Sequence, residues 1–174
     1  STAVAKIEIN TRNYDVKFLA DAGVFIFKDV TEYETIYTFS RKQAVVIGII
    51  MIDNYSDLSD NADDSNDIIS KVRNAIFEYA RDYEVLVRRY RNDGYFVVCN
   101  HESLQKMEED KFSLLETIHK IGEKEDTPPT LSIGIAHDFP DVVKLNEMAS
   151  SAIEIAMSRG GDQVVVSAYG HDME

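Results

Sequence analysis

The chain has 174 residues, which is enough for one complete domain and a smaller additional segment. Its formal net charge of -13 gives a surface that repels phosphate backbones, so nucleic-acid binding is not expected. The single cysteine, Cys99, excludes an internal disulfide and fits a reducing compartment.

The first 43 residues predict a few strands followed by a helix. Alternating β-branched and aromatic residues at 6–10 and 23–29 predict a hairpin, with Tyr14 to Val16 between the two runs. So few strands do not stabilise a domain alone, and the chain starts in mid-pattern without Met, so we expect a piece of a longer protein. Thr31 and Glu34 have the spacing of a capping box and predict a connecting helix over residues 31–43.

The remaining pattern predicts one α/β domain over residues 44–170. The apolar run 44–52 predicts a strand that is buried on both faces, and at this length it is too short to cross a bilayer. An acidic loop is predicted over 53–66, and Asp93-Gly94 predicts a hairpin between two further strands. Helices are predicted at about 68–79, 103–123 and 142–158, with strands at 130–136 and 163–167. The order β-α-β-β-α-β-α-β predicts a ferredoxin-like sheet with packed helices.

Four segments of this domain, in their order along the chain, resemble the GGDEF family of nucleotide cyclases. They are Met51-Ile52-Asp53-Asn54-Tyr55, the hairpin segment from Arg89 to Tyr95, the strand 130–136 and the helical segment 152–157. The resemblance implies the nucleotidyl-cyclase palm fold, with a mainly antiparallel central sheet, over residues 44–170. In this hairpin Arg91-Asn92-Asp93-Gly94-Tyr95 occupies the place of the family's signature motif.

The N-terminal piece ends in residues 27–32, which resemble the last strand and exit motif of a PAS sensor domain, so residues 1–30 are interpreted as the end of a PAS domain. Together with the altered hairpin and residues 159–163, this piece resembles GdpP/YybT-type cyclic-di-AMP phosphodiesterases, which are membrane-bound bacterial proteins. In that family an Asp-His-His phosphoesterase domain, which this chain lacks, performs the hydrolysis. The GGDEF-like domain is associated with ATP binding and weak ATP hydrolysis. The resemblance therefore implies a regulatory domain on the cytoplasmic side of a membrane-anchored protein, with PAS and phosphoesterase partner domains. The sequence leaves the oligomeric state open, with a homodimer as one alternative.

The residues at the altered hairpin argue against diguanylate cyclase activity. Met51 stands where the family has its first metal-binding Asp, and a thioether is a poor ligand for Mg²⁺. Gly94 replaces a Glu, and Arg91 and Asn92 fill the space of two glycines. Met157 stands in place of a phosphate-binding Lys. Two-metal catalysis is therefore not expected.

A weak nucleotide site remains the prediction. Arg91, Asn92 and Arg159 would hold ATP through direct contacts, and Asp93 would bind it through Mg²⁺, with Asp53 as the second ligand of that ion. The alternatives are that Asp93 and Arg91 are only turn residues and that Asp53 only caps a strand end. On that interpretation the chain is a ligand-free dimerisation and signal-relay module, in which the helix from Thr31 pairs two chains.

The four histidines do not predict a metal site. His101, His119, His137 and His171 share no spacing that is typical of zinc ligands, so a zinc site is not expected.

Overall fold

The computed structural model describes residues 4–60 and 65–170, and the contacts between residues divide the chain into two units, residues 1–43 and 44–174. In the first unit β1 (Val4–Ile9), β2 (Arg12–Leu19) and β3 (Val24–Asp29) form an antiparallel sheet in the order β1-β2-β3. The predicted two-strand hairpin is wrong because a middle strand, β2, separates the two runs. Charged residues interrupt the apolar pattern of β2, and half of its residues are exposed while only Val16 is buried, so burial imposes little alternation on its sequence.

Helix α1 (Thr31–Lys42) follows β3 at the predicted place, but the predicted capping box is wrong. Val30 is the N-cap residue and provides no side-chain cap. The Thr31 hydroxyl instead donates to Asp29 Oδ1 (2.6 Å) and accepts from the Asn13 backbone N–H (2.9 Å). Glu34, the residue expected to complete the box, forms an ion pair with Lys6. The Asp29 carboxylate, which also accepts the Thr31 N–H (3.0 Å), and the distant Asn13 thus replace the predicted cap.

The second unit contains a five-stranded sheet in the order β5-β6-β4-β7-β8. Its strands are β4 (Val45–Ile52), β5 (Leu86–Arg89), β6 (Gly94–Asn100), β7 (Leu131–His137) and β8 (Val164–Ala168). The central strand β4 is antiparallel to both β6 and β7, and only the β7–β8 pair is parallel. The predicted mainly antiparallel sheet with packed helices is confirmed.

Five helices of the described chain belong to this unit: α2 (Tyr55–Asp60), α3 (Ser65–Asp82), α4 (His101–Glu109), α5 (Leu114–Gly122) and α6 (Val142–Ser158). The predicted loop over 53–66 is wrong in part, because it includes α2 and the start of α3. The predicted single helix over 103–123 is also wrong. The chain turns between α4 and α5 with positive φ at Lys111 (55°) and Phe112 (52°), which buries the Phe112 ring.

Burial of β4 on both faces organises the core. Val46, Ile50 and Ile52 pack on the side of α3, α4 and α5, whereas Ile47, Ile49 and Met51 pack against residues of α6. Within the described part of the chain, no helix combines the length and the apolar character that crossing a membrane requires.

Candidate functional site

The hairpin between β5 and β6 lies beside the end of β4. The N–H groups of Tyr90 and Arg91 donate to the Gly94 carbonyl oxygen (3.1 and 3.2 Å), which closes the turn. The Ile52 N–H donates to the Asp93 carbonyl oxygen (2.8 Å) and fixes the turn to β4. Sheet register therefore places Asp93 close to the strand end that carries Asp53.

The side chains of Arg91 and Asp93 form a bidentate ion pair. Arg91 Nε lies 3.0 Å from Asp93 Oδ1, and Arg91 Nη2 lies 2.8 Å from Asp93 Oδ2. The Asp93 side chain is 23% exposed, and the Arg91 side chain is 55% exposed. Both carboxylate oxygens thus have a charged partner within the turn, and Asp93 becomes available to a cation only when Arg91 moves away.

Arg89 holds the other side of the hairpin tip. Its Nε donates to the Arg91 carbonyl oxygen (3.0 Å), and its Nη2 donates to Asn92 Oδ1. Asn92 is therefore already engaged by a neighbouring arginine. The sequence signal for Arg89 was its place in the Arg-Tyr pair before the hairpin, although the sequence alone assigned it no role.

The space that a Glu at position 94 would need is occupied by Tyr90. A Cβ atom added at Gly94 would lie 3.0 to 3.1 Å from atoms of the Tyr90 ring, which is tighter than most real contacts. The exposed Tyr90 ring would have to swing aside to admit any side chain there. The Tyr90 side chain therefore fills the space in which the glutamate of the family's motif would lie.

Asp53 is bound to the turn between α6 and β8. Its Oδ2 accepts a hydrogen bond from the Asp162 N–H (3.0 Å), while its own N–H donates to the Thr130 carbonyl oxygen (3.1 Å). Gly161 in this turn has φ of +76°, and a Cβ there would lie 2.7 Å from Asp53 Oδ2. Asp53 Oδ1 is buried and has no hydrogen bond. These contacts favour a turn-stabilising role for Asp53 over the role of a metal ligand.

A histidine holds the same turn from the side of α5. His119 Nε2 lies 2.7 and 2.8 Å from the two carboxylate oxygens of Asp162. The two residues are 43 positions apart in the sequence, so no local pattern could reveal the contact. The turn that contacts Asp53 is therefore held by two different elements.

Arg159 is the C-cap residue of α6 and is exposed. Within residues 4–60 and 65–170, no ion pair joins its guanidinium to Asp53 or Asp93. Met157, at the position of the family's lysine, is also exposed and carries no charge. Of the sequence-predicted site residues, the structure thus brings together Arg91, Asn92 and Asp93, and it places Asp53 and Arg159 at the neighbouring α6–β8 turn.

This donor set does not fit a two-metal centre. Two metal ions need several carboxylates that face the nucleotide phosphates. Here Asp93 is paired with Arg91, Asp53 is bonded to the turn, and Met51 is buried in the core. One Mg²⁺ fits if a bound nucleotide supplies phosphate oxygens, because Mg²⁺ commonly binds through one or two carboxylates together with phosphates.

Comparisons with known proteins identify the family of this chain. The family model for the GGDEF domain of GdpP-like cyclic-di-AMP phosphodiesterases matches residues 50–173. The chain is 31% identical over 140 residues to the cyclic-di-AMP phosphodiesterase PdeA of Listeria monocytogenes, covering 79% of this chain and 21% of that protein. It is 30% identical over 162 residues to the cyclic-di-AMP phosphodiesterase GdpP of Geobacillus thermodenitrificans, covering 92% and 25%. The chain thus spans between a fifth and a quarter of the length of these relatives.

Solved structures show the same fold at low sequence identity. The GGDEF domain of DgcB from Caulobacter crescentus, in complex with c-di-GMP, aligns with a TM-score of 0.57 and 15% identity over 78% of this chain and 86% of that one. A bacterial light-regulated adenylyl cyclase aligns with a TM-score of 0.58 and 8% identity over 71% and 74%. The sequence prediction of fold and family is confirmed. The chain belongs to the GGDEF domains of the GdpP-like cyclic-di-AMP phosphodiesterase family.

Proposed function

We propose that residues 44–170 are a regulatory, degenerate GGDEF domain, and that another domain of the same protein hydrolyses cyclic-di-AMP. The names of the curated relatives support this proposal, as does the small share of their length that the chain spans. Residues 1–30 are assigned to the end of a PAS domain, and residues 31–43 are assigned to the linker that carries its signal. The output is an Asp-His-His phosphoesterase domain, and the whole protein is anchored in a bacterial membrane with these domains on the cytoplasmic side.

The domain does not cyclise nucleotides. Three observations support this: Met51 is buried, the Tyr90 ring lies against Gly94, and Arg91 forms a bidentate ion pair with Asp93. Incubation with GTP or ATP and Mg²⁺ or Mn²⁺, followed by chromatography, is expected to yield no cyclic dinucleotide. Formation of either cyclic dinucleotide by the purified chain would contradict this part of the proposal.

The domain binds ATP weakly when a phosphate of the nucleotide replaces the Asp93 carboxylate as the partner of Arg91. The Arg91–Asp93 ion pair is the observation that carries this proposal. The pair is partly exposed and, although bidentate, is worth on the order of 1 kcal/mol, so a triphosphate, which carries more negative charge than Asp93, can compete for the Arg91 guanidinium. When Arg91 turns to a phosphate oxygen, Asp93 is freed to ligate Mg²⁺ that arrives with the nucleotide. Asn92 and Arg159 contribute further polar contacts, and Asp53 would become a second ligand only by giving up its hydrogen bond from the Asp162 N–H.

A single Mg²⁺ supplies charge neutralisation on the phosphates when it is bound. Arg91 then orients the phosphates, and Asp93 holds their counterion. No described residue of the hairpin stands ready as a free general base, because Asp93, the carboxylate of the hairpin, is engaged by Arg91. ATP hydrolysis is therefore expected to be slow.

Calorimetric titration of the 174-residue chain with Mg·ATP tests the exchange. We expect a dissociation constant on the order of 1 mM, which corresponds to about -4 kcal/mol. Arg91→Ala and Asp93→Ala should each weaken binding about tenfold, because each removes one side of the exchange. Arg88→Ala, at another exposed arginine of the same hairpin, is the matched control and should leave binding unchanged. Absence of heat at millimolar nucleotide with a folded sample removes the ligand claim.

A second candidate function is a ligand-free relay in which α1 pairs two chains. The observation that favours it is the exposure of large apolar side chains on a helix with no buried residue: Tyr33, Ile36, Tyr37 and Phe39. Pairing with a second copy would cover them. Sedimentation equilibrium should show a dimer that Ile36→Asp weakens and Thr38→Asp, at a neighbouring exposed position, does not. A monomer at all accessible concentrations would exclude this candidate.

A further inference from the structure

Three potential metal ligands converge at the end of the sheet opposite the hairpin. His101 is the first residue of α4, directly after β6; His137 is the last residue of β7; and Asp138 follows it. One ligand atom from each lies within 4.8 Å of the other two. The two histidines are far apart in sequence, and the sheet register brings them together, since β6 and β7 both pair with the first half of β4 at this end.

The geometry matches that of ligands around one tetrahedral ion. The centroids of the His101 and His137 rings lie 5.2 Å apart, with an angle of 49° between the ring planes. Two imidazoles on one Zn²⁺, at N–Zn distances of about 2.0–2.1 Å and a tetrahedral angle, place their centroids about 5 Å apart. The ring separation therefore suits a shared ion, and binding would draw together ligand atoms that now lie within 4.8 Å of one another.

The carboxylate satisfies the same test. His137 Nδ1 lies 3.2 Å from Asp138 Oδ2. A nitrogen and an oxygen on a tetrahedral Zn²⁺ are separated by about 3.3 Å. His137 Nδ1 is buried, and despite the short distance it has no hydrogen bond, so the carboxylate approaches it without the direction that a hydrogen bond requires.

We propose that His101, His137 and Asp138 bind one divalent transition-metal ion of the zinc class. Imidazole nitrogen selects such ions over Mg²⁺ and Ca²⁺, which take oxygen ligands. Three protein ligands leave a fourth position for water. The net charge of -13 raises the local concentration of cations. The site is separate from the hairpin and does not depend on nucleotide binding.

The backbone around the site is held by regular structure. The His101 N–H donates to the Ala44 carbonyl oxygen (3.0 Å) just before β4, and the Asn100 side chain caps α4 by accepting from the Ser103 N–H (2.9 Å). Asp138 has φ of 60°, a conformation in which Asp is well tolerated. The positive end of α4 disfavours a cation, and the Asp138 carboxylate offsets that field. A bound ion would tie the α4 N-terminus to the end of β7, and it should raise stability because it binds the folded state.

The test is a titration of the 174-residue chain after removal of metals with a chelator. Calorimetry with Zn²⁺ should show one equivalent of tight binding, and Co²⁺ should give the intense visible bands of a tetrahedral site. Millimolar Mg²⁺ should not displace either ion. Zn²⁺ should also raise the midpoint of thermal unfolding.

The variants are chosen to leave the fold intact. Asp138→Asn keeps the size of an exposed side chain and tolerates positive φ, and His137→Gln keeps a polar group of similar reach. Each should weaken Zn²⁺ binding at least tenfold and abolish the tetrahedral Co²⁺ spectrum, with unchanged circular dichroism. His119→Gln is the matched control, because His119 also faces a carboxylate but belongs to no three-ligand cluster among the residues that the structure describes, and this variant should bind Zn²⁺ as the parent does. Absence of Zn²⁺ binding by the parent chain, or equal binding by the double variant Asp138→Asn/His137→Gln, would overturn the proposal.

Discussion

The two ends of the sheet in the second unit differ in what their polar side chains already contact. At the hairpin end, Asp93 is held by Arg91, and Asp53 accepts the Asp162 N–H. At the opposite end, His101, His137 and Asp138 direct ligand atoms toward one another. At the end that carries the family's motif, one carboxylate is thus paired with an arginine and the other accepts a backbone N–H, whereas the end without a motif has converging metal-ligand atoms. Contacts within the fold, as well as residue type, decide what a ligand would have to displace at each end.

The difference between the two ends arises from how far apart the contacting residues lie in the sequence. Arg91 and Asp93 are two residues apart in a tight turn, so their ion pair forms at little cost in backbone entropy. The histidines come from the ends of separate strands, and only folding of the whole sheet brings them together. A ligand at the hairpin must compete with the ion pair between Arg91 and Asp93. A metal at the histidine end would instead join side chains that folding of the sheet has already brought together.

The largest expected effect comes from Gly134→Ala, which tests whether both ends depend on the packing of α6 across β7. The added Cβ would lie 2.4 Å from Ile153 N and 2.7 Å from the Ala149 carbonyl oxygen, and backbone atoms cannot rotate away. We expect a loss of about 3 kcal/mol in the free energy of unfolding, measured with urea.

The control for this substitution is Gly48→Ala in β4. A Cβ at Gly48 would have its nearest neighbours at 3.4 Å, so we expect a loss below about 1 kcal/mol. If the two variants unfold at the same urea concentration, close packing of α6 on Gly134 is not the constraint.

An intermediate effect is expected at the hairpin end, from the contact between Asp53 and the α6–β8 turn. Gly161→Ala introduces a side chain at φ of +76° and within 2.7 Å of Asp53 Oδ2, so we expect a cost of about 1–3 kcal/mol. Asp53→Ala should cost about 1–2 kcal/mol, because it leaves the Asp162 N–H without its acceptor.

A double-mutant cycle separates strain from contact. In the Asp53→Ala background the clash is gone, so Gly161→Ala should cost about 1 kcal/mol less than in the parent chain. Strict additivity of the two costs would show that Asp53 does not contact the turn closely, and Asp53 would then be a candidate metal ligand again.

The smallest effect concerns acid stability at the far end of α4, the helix that begins at His101. The Asp110 carboxylate accepts hydrogen bonds from the Ser113 hydroxyl and N–H, which, aided by Tyr83 and Tyr79, lower the pKa of Asp110 below its usual value. A depressed folded-state pKa stabilises the protein above the unfolded value of about 3.9, and this contribution is lost as pH falls through the folded pKa.

Asp110→Asn should therefore lower stability at pH 7 by less than about 1 kcal/mol, and the difference from the parent chain should shrink as the solution is acidified below about pH 4. Asp126→Asn, at an exposed carboxylate, is the control and should change little. A constant difference across the titration would mean that hydrogen bonding to the charged form of Asp110 does not contribute.

Local patterns determined much of the architecture. The apolar run of β4 and the amphipathic spacing of α6 predicted both elements almost to the residue, and Asp93-Gly94 predicted the hairpin, because each signal lies within one element. The break between α4 and α5 escaped prediction, since the apolar spacing continues through it. Burial of Phe112 and the bonds from Ser113 to Asp110 favour the turn, and both depend on neighbours that the sequence does not identify.

By itself, the sequence determined the fold class, the family and the position of Asp93 beside the end of β4, because these follow from the order and spacing of short motifs. Only the tertiary structure decided which donor atoms have partners. It paired Arg91 with Asp93, laid Tyr90 over Gly94, joined Asp53 to the α6–β8 turn, and brought His101 to His137 where the sequence predicted no zinc site. The reason is that hydrogen bonds and ion pairs depend on distances of about 3 Å between atoms, which sequence spacing does not specify across separate elements.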